Sequence, residues 1–421
     1  MTTIRLPAPL LASLLLAPST WSCSAPSTVA YTGVTVWDGS GAPPVTNATI
    51  VVESGRIASV QQDPRPPRGA DVVPLDGRWV IPGLIDTHAH VSGRWAASGS
   101  EDELARIREE LALYARYGVT TVNSLGDGDA VIGARDAASP TDPHARLLAA
   151  GVVVADDEPA AARATATENA DAGADWLKLR VDDNLGTSAK MPWDAVQAVM
   201  DVGRERGLPV ATHVFYLSDA KRLLEMGTGL LAHSVRDVDV DDELVTALQE
   251  TGVCYVPTLV REVSTFVYAE RPDFFDDPFF QEHADAAEVA RLSSPEYMEE
   301  MRLSPAAAGY RVALAQAQRN LKALSDAGVA IAFGTDAGPA ARFPGYFEHM
   351  ELELMVDAGL TPAQALYSAT GGAAACLGLD DVGTLEAGRW ADFLVLGADP
   401  LADIGATRAL ERVFVAGNEV R

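Results

Sequence analysis

Six side chains in this sequence have types and spacings that suit metal chemistry: His88, His90, Lys178, His213, His233 and Asp336. His88 and His90 stand two apart in "VIPGLIDTHAH", and side chains alternate along a strand, so both rings point to one side. Imidazoles at the C-terminal end of a strand are well placed as metal ligands. Four of the seven histidines, His88, His90, His213 and His233, close three expected strands, and Asp336 closes another in "GTDAG". Ordinary polar roles suffice for His144, His283 and His349, which fall before a strand, in an insertion and on a helix. Lys178 is the unusual member. In "GADWLKLRVDD", Trp176, Lys178 and Arg180 share one face, while Leu177, Leu179 and Val181 share the other. With the aliphatic face packed on helices, the lysine points inward, where burial disfavours its charge. A neutral amine can capture carbon dioxide as a carbamate, a two-oxygen anion able to bridge two cations. The plainer alternative is a lysine whose stem lies on apolar surface while its head reaches water.

Such groups need a scaffold that gathers strand ends. From about Pro82 to Leu379 strands and helices alternate, and eight strands can be counted, from "VIPGLIDTHAH" to "VAIAFGTDAG". Repeated βα units of that number favour an α/β fold of the closed (β/α)8 barrel type over an open sheet. Ser100 with Glu103 reads as a capping box for a helix carrying Leu104, Ile107, Leu111 and Tyr114. Gly207 and Pro209 stop the helix that carries Val196, Val199 and Val202. Residues 31–80 and 380–421 show short alternating strands with Gly, Asp and Asn turns, which reads as a small β-sandwich domain built from both chain ends. The barrel then occupies 81–379. One unit swells between Thr258 and about Tyr310, in a segment rich in aromatic and acidic residues. It is either a lid over the catalytic face or a packed helical insertion, and the sequence favours neither.

The chain of 421 residues carries 32 basic and 59 acidic residues, a formal charge of −27. That balance excludes a nucleic-acid or anionic-membrane binder, which needs a basic footprint. Residues 1–30 read as a leader. Arg5 precedes the apolar run "LLASLLLAP" and then small polar residues, with cleavage near Ser24 or Ala30. The expectation is therefore an exported protein, periplasmic or secreted, with a lipid anchor on Cys23 as a variant; no membrane span is expected. Cys254 and Cys376 sit in no Cys/His cluster, so neither a thiol metal site nor a disulfide framework is expected.

In this order, "VIPGLIDTHAH", Lys178, "ATHV", "AHSV" and "GTDAG" resemble the amidohydrolase superfamily. The likeness is to its metal-dependent members with a carboxylated lysine on the fourth strand, of the prolidase and imidazolonepropionase-like kind. The resemblance implies that His88, His90 and Asp336 hold a buried metal and that His213 and His233 hold a second, with carboxylated Lys178 bridging them. It implies two divalent ions, zinc by default, with manganese, iron or cobalt as alternatives. It further implies a hydroxide nucleophile between the metals, and Asp336 as general base and then acid. The implied activity is cleavage of an amide-type C–N bond, in a dipeptide, N-acyl amino acid or related small molecule. A lactonase or esterase on the same site is the alternative, and a catalytically dead binding or scaffold protein the non-enzyme reading. The expected partner is a small-molecule substrate, with homo-oligomerisation open.

One departure is informative. The one-metal deaminases of this superfamily, and imidazolonepropionase itself, carry a glutamate three residues after the fifth-strand histidine; here that position is Tyr216. This lowers the case for deamination and supports the two-metal hydrolytic type. Tyr216 is a candidate to hydrogen-bond the substrate carbonyl or oxyanion, with a packed rim tyrosine as the equal alternative. Arg180 and Arg236 are candidates to grip a substrate carboxylate. Asp182, Asp183 and Asp237 are close in sequence, however, and salt bridges are the preferred reading for both arginines.

Overall fold

The computed structural model describes residues 28–62 and 65–421. Cys23 and most of the stretch read as a leader lie outside the described residues. At its end, Thr28–Ala30 already belong to the first strand, and Ala30 is buried.

The first strands are β1 (Thr28–Val36), β2 (Val45–Glu53), β3 (Arg56–Gln61), β4 (Asp71–Pro74) and β5 (Trp79–Pro82). The middle of the chain supplies β6 (Leu84–Ala89), β7 (Val119–Ser124), β8 (Arg146–Ala149), β9 (Leu177–Arg180), β10 (Val210–His213), β11 (Leu230–Ala232) and β12 (Cys254–Val256). The end adds β13 (Phe393–Leu396), β14 (Leu410–Val415) and β15 (Asn418–Glu419). Strands from the two chain ends form one sheet of order β15-β14-β13-β5-β1-β2-β3, with β4 also paired to β1. The expected sandwich is thus a single eight-stranded hydrogen-bonded sheet. Its buried face gathers Tyr31, Phe393 and Phe414.

The middle strands form two parallel sheets, β6-β7-β8 and β12-β11-β10-β9. Val154 bridges to Leu179 between them. Eight regular strands were expected and the middle of the chain has seven. The eighth segment makes one bridge, Ile331 with Tyr255, and reaches β6 through Thr87 N–H to the Phe333 carbonyl, 3.0 Å. Its backbone departs from regular strand geometry, and at Gly334 it lies close to β6. A Cβ on Gly334 would lie 2.5 Å from Val256 Cγ1 and 3.0 Å from His88 Cβ.

Packing around β9 follows the alternation. Leu177, Leu179 and Val181 are fully buried beside Val196, Val199 and Met200 of the helix Trp193–Arg206. Trp176 lies on the other face with Ala211, Ala232, Val256 and Ala332. Gly207 ends that helix at φ +69°, a left-handed conformation glycine adopts without strain. The helix Glu103–Arg116 is capped not by Ser100 but by Asp102, whose carboxylate accepts from the Leu104 and Ala105 N–H groups.

The insertion is packed rather than open. Tyr268, Phe275 and Phe280 are buried against Phe343 and Phe347, and the Tyr268 hydroxyl donates to the Ala341 carbonyl at 2.6 Å. Each such ring stabilises the fold by roughly 1.5–3 kcal/mol when fully buried. Cys254 and Cys376, for which no disulfide framework was expected, form a disulfide across 122 residues, with Cα atoms 6.0 Å apart. No helix of the described residues is long and apolar enough to cross a membrane.

Candidate functional site

All six expected ligands come together. His88, His90, Lys178, His213, His233 and Asp336 line one cavity of about 220 Å³ at the C-terminal ends of the parallel strands. A larger opening of about 470 Å³ flanks Gly229, Cys254 and Cys376 at the starts of β11 and β12. It is lined by no histidine or carboxylate, so the chemistry belongs to the smaller cavity.

Ligand atoms of His88, His233 and Asp336 lie within 4.8 Å of one another, all buried. This tightest triple crosses the two expected ligand sets. The His213 and His233 rings are 3.9 Å apart and the Asp336 carboxylate is 2.9 Å from His90 Nε2. Lys178 Nζ is buried, 3.3 Å from His88 Nε2.

Neighbours that no local pattern announced orient the rings. His233 Nδ1 is 2.7 Å from Thr258 Oγ1, which leaves Nε2 for a cation. His213 uses Nε2 on Asp182, 2.9 Å away, which leaves Nδ1. His90 Nδ1 is 3.2 Å from Asp127, whose carboxylate also accepts from the Val91 N–H. Fixing one imidazole nitrogen sets the tautomer presented by the other. His88 Nδ1 has no protein partner among the described residues. Buried, mutually close imidazoles and a carboxylate, with one ring nitrogen of His90, His213 and His233 held from outside, suit a divalent cation, so the residues fit one.

Burial pushes the Lys178 amine down to about 7; Asp336 opposes this and Arg180 adds to it. Burial also lowers His213 to about 3, and it holds His88 and His233 well below the usual histidine range. These rings are neutral, the form that binds metal. At His90 burial works the same way, but Asp127 and Asp336 outweigh it and raise the ring to about 10. Burial alone would raise the Asp336 carboxyl; the Arg342 guanidinium bonded to Oδ2 and the His90 ring hold it well below the usual range.

The backbone is strained at the same place. His233 (φ +74°), Thr258 (φ +46°) and Asp336 (φ +59°) are non-glycine residues in the left-handed region. Such conformations cost about 1–3 kcal/mol each and cluster at functional sites.

Three expected substrate contacts fare differently. Arg180 lines the cavity beside Asn184. Arg236 does not: it is buried under Phe215, donates to the Val214 and Ser234 carbonyls, and pairs with Glu262 at 3.1 Å. Tyr216 is also off the cavity lining. Its hydroxyl donates to Asp183 at 2.9 Å, its ring carries the Lys190 ammonium, and burial together with Asp183 pushes the phenol up to about 12. The chain leaves β10 at His213, so the strand alternation that would aim Tyr216 inward has ended. Arg261 and Arg342 line the cavity unannounced by the sequence.

Comparisons with known proteins agree with the architecture. The model of the Amidohydrolase family matches residues 79–420. The uncharacterized protein Rv2915c of Mycobacterium tuberculosis is 28% identical over 397 residues, 90% of this chain and 94% of that protein. The imidazolonepropionase of Streptomyces coelicolor is 26% identical over 392 residues, 84% of this chain and 86% of that one. Among solved structures, a Bifidobacterium longum protein described as a prolidase superposes with a TM-score of 0.73 at 26% identity, covering 94% of this chain and 95% of its own. These relatives correct one expectation. The likeness to imidazolonepropionases over 84–89% of the chain counts against the reading of an exported, periplasmic or secreted protein with a lipid anchor on Cys23, and the internal Cys254–Cys376 bond does not restore it.

Proposed function

This chain belongs to the amidohydrolase family, as a hydrolase acting on carbon–nitrogen bonds, and on that premise we propose that it cleaves an amide bond in a dipeptide, N-acyl amino acid or related small molecule at the histidine-lined cavity. One observation carries the reading: the buried Lys178 amine, 3.3 Å from His88 Nε2, facing four histidines and Asp336 across a single cavity. In this reading the two parallel sheets and the segment around Ile331 close as one (β/α)8 barrel over 81–379, and residues 31–80 with 380–421 form the flanking β-domain.

His88, His90 and Asp336 would hold one divalent cation, zinc by default. His213 through Nδ1 and His233 through Nε2 would hold the other. Lys178 Nζ would bond to the carbon of carbon dioxide and release a proton to water, giving a carbamate whose oxygens would be available to hold the cations. Bound cations supply positive charge that lowers the pKa of water and polarises a carbonyl. Asp336 takes the proton from the attacking water and delivers it to the leaving nitrogen. Arg342 holds the second carboxylate oxygen of Asp336, so the first keeps one orientation. Asp127, Asp182 and Thr258 fix the imidazoles, which is how outer partners secure metal ligands. Arg180 is left to meet a substrate carboxylate.

The test is a panel of dipeptides, N-acyl amino acids and lactones with metal-loaded protein, alongside metal content. Amide turnover with two divalent ions per chain is expected. Turnover of lactones alone, or full activity with fewer than one metal per chain, refutes the proposal.

A further inference from the structure

Thr258, whose Oγ1 lies 2.7 Å from His233 Nδ1, also stands at the start of a helix. It immediately precedes Leu259–Ser264, at φ +46° and ψ +49°, and its side chain makes no capping bond to that helix. A threonine in this place ordinarily turns its hydroxyl to the free N–H groups of the first turn, which must find acceptors somewhere. Here the acceptor comes from about ninety residues further along the chain. Glu351, on the helix Tyr346–Asp357, takes the Leu259 N–H on Oε1 at 2.8 Å and the Val260 N–H on Oε2 at 2.6 Å. The carboxyl is fully buried and is not part of the cavity lining. Burial pushes it up to about 8, the two N–H groups opposing this and Asp86 and Glu262 adding to it, so at pH 9 it is an anion.

We propose that Glu351 is a positioning residue for His233: by meeting the Leu259 and Val260 N–H groups it frees the Thr258 hydroxyl for the ring, and so keeps His233 Nε2 open to a cation. The proposal rests on the two-cation reading above. With the Nδ1 proton donated to Thr258 Oγ1, the lone pair stays on Nε2. Without the carboxylate, two buried N–H groups lose their acceptors, which a fold does not leave unmet cheaply. The Thr258 hydroxyl is the ordinary replacement, since capping is what a threonine there usually does. Turned to the helix, it leaves Nδ1 without its partner, and the ring can then carry its proton on either nitrogen. His90 and His213 take their orientation from Asp127 and Asp182, so the loss falls on His233 alone.

The test compares the full chain with Glu351→Gln, Thr258→Val and the two together, at pH 9. Glutamine keeps the size and one acceptor oxygen, and valine keeps the shape of threonine. Glu351→Asp, which withdraws the carboxylate by one methylene, is a second variant at that position and should behave as Glu351→Gln does. In metal-free protein labelled with 15N-histidine, the nitrogen shifts of wild-type His233 should report the Nδ1–H tautomer, and each variant should move them towards a mixture. In zinc-loaded protein, competition with a chelator should show one of the two ions held about 10–100-fold less tightly and the other unchanged. The double variant should be no weaker than Thr258→Val, because the two residues act in series. An unchanged His233 tautomer in the Glu351 variants, equal weakening of both ions, or losses that add in the double variant overturns the positioning role. If wild type holds fewer than two ions while the tautomer shifts as expected, the two-cation reading fails and the positioning role stands. If two ions bind and the Glu351 variants alter neither ring nor affinity, the positioning role fails and the two-cation reading stands.

Discussion

Lys178→Met separates a functional lysine from a tolerated one, because the two readings differ in sign. The amine is buried and its ionisation falls from the ordinary 10.5 to about 7, burial being the main cause. At about 1.4 kcal/mol for each factor of ten, that fall corresponds to roughly 5 kcal/mol that the metal-free fold gives up to keep an amine there. Methionine has similar reach and no charge. Allowing for imperfect packing of the new side chain, metal-free Lys178→Met should be about 2–4 kcal/mol more stable than wild type at pH 7. The pH dependence has a fixed sign. The unfolded chain keeps this proton up to 10.5 and the folded chain only up to about 7. Wild-type stability therefore rises between those values, and the advantage of the variant, full at and below pH 7, fades towards pH 10.5. Urea denaturation of both metal-stripped proteins at pH 7 and pH 10 measures this. Reconstituted with metal and bicarbonate, the variant should lose at least one ion per chain and its hydrolytic activity. A metal-free variant no more stable than wild type at pH 7, or an advantage unchanged at pH 10, refutes the buried-amine argument; a variant that keeps both ions and full turnover refutes the bridging role.

Other consequences are simpler to measure. Asp182→Asn removes the carboxylate that holds His213 Nε2 at 2.9 Å and should weaken metal binding about 10–100-fold in competition with a chelator, with the fold unchanged; unaltered affinity would show that His213 needs no such partner. Glu110 is pushed up to about 8 by burial, so its contribution to stability is full below about 4.5 and is lost as pH rises through 8. Glu110→Gln should accordingly gain stability relative to wild type between pH 5 and 9 in thermal melts, and a constant difference would contradict this. Cys376→Ser opens a loop of 122 residues and should cost about 2–5 kcal/mol, a loss that a reductant reproduces in wild type and does not deepen in the variant.

What the sequence could announce was set by local period. His88, His90 and Lys178 were legible because each sits in or directly after a strand whose alternation places it, and the aliphatic residues flanking Lys178 do pack on a helix. Tyr216 and Arg236 each carried two readings, and both side chains lie off the cavity, Arg236 in an ion pair as preferred, although with Glu262, and Tyr216 on Asp183. β10 stops at His213 and β11 at Ala232, and beyond them side-chain direction depends on turns rather than alternation. The orienting partners were silent for a related reason. Asp127 is 37 residues from His90, Asp182 is 31 from His213, and Thr258 is 25 from His233, each in a loop or turn next to a strand. Asp182 was visible as an acid, but its pairing with a histidine instead of an arginine depends on which strand ends meet. The eighth strand was expected in the right place and is irregular where it meets the site. Gly334 lets that segment lie against His88, and Asp336 turns at φ +59° two residues later. His233, Thr258 and Asp336 all leave the extended conformation that a strand pattern predicts, and none is a glycine. A backbone held in that region by its surroundings is over-determined by the rest of the fold. The geometry of the clustered side chains is therefore a property of the assembled sheets, and their types are a property of the sequence.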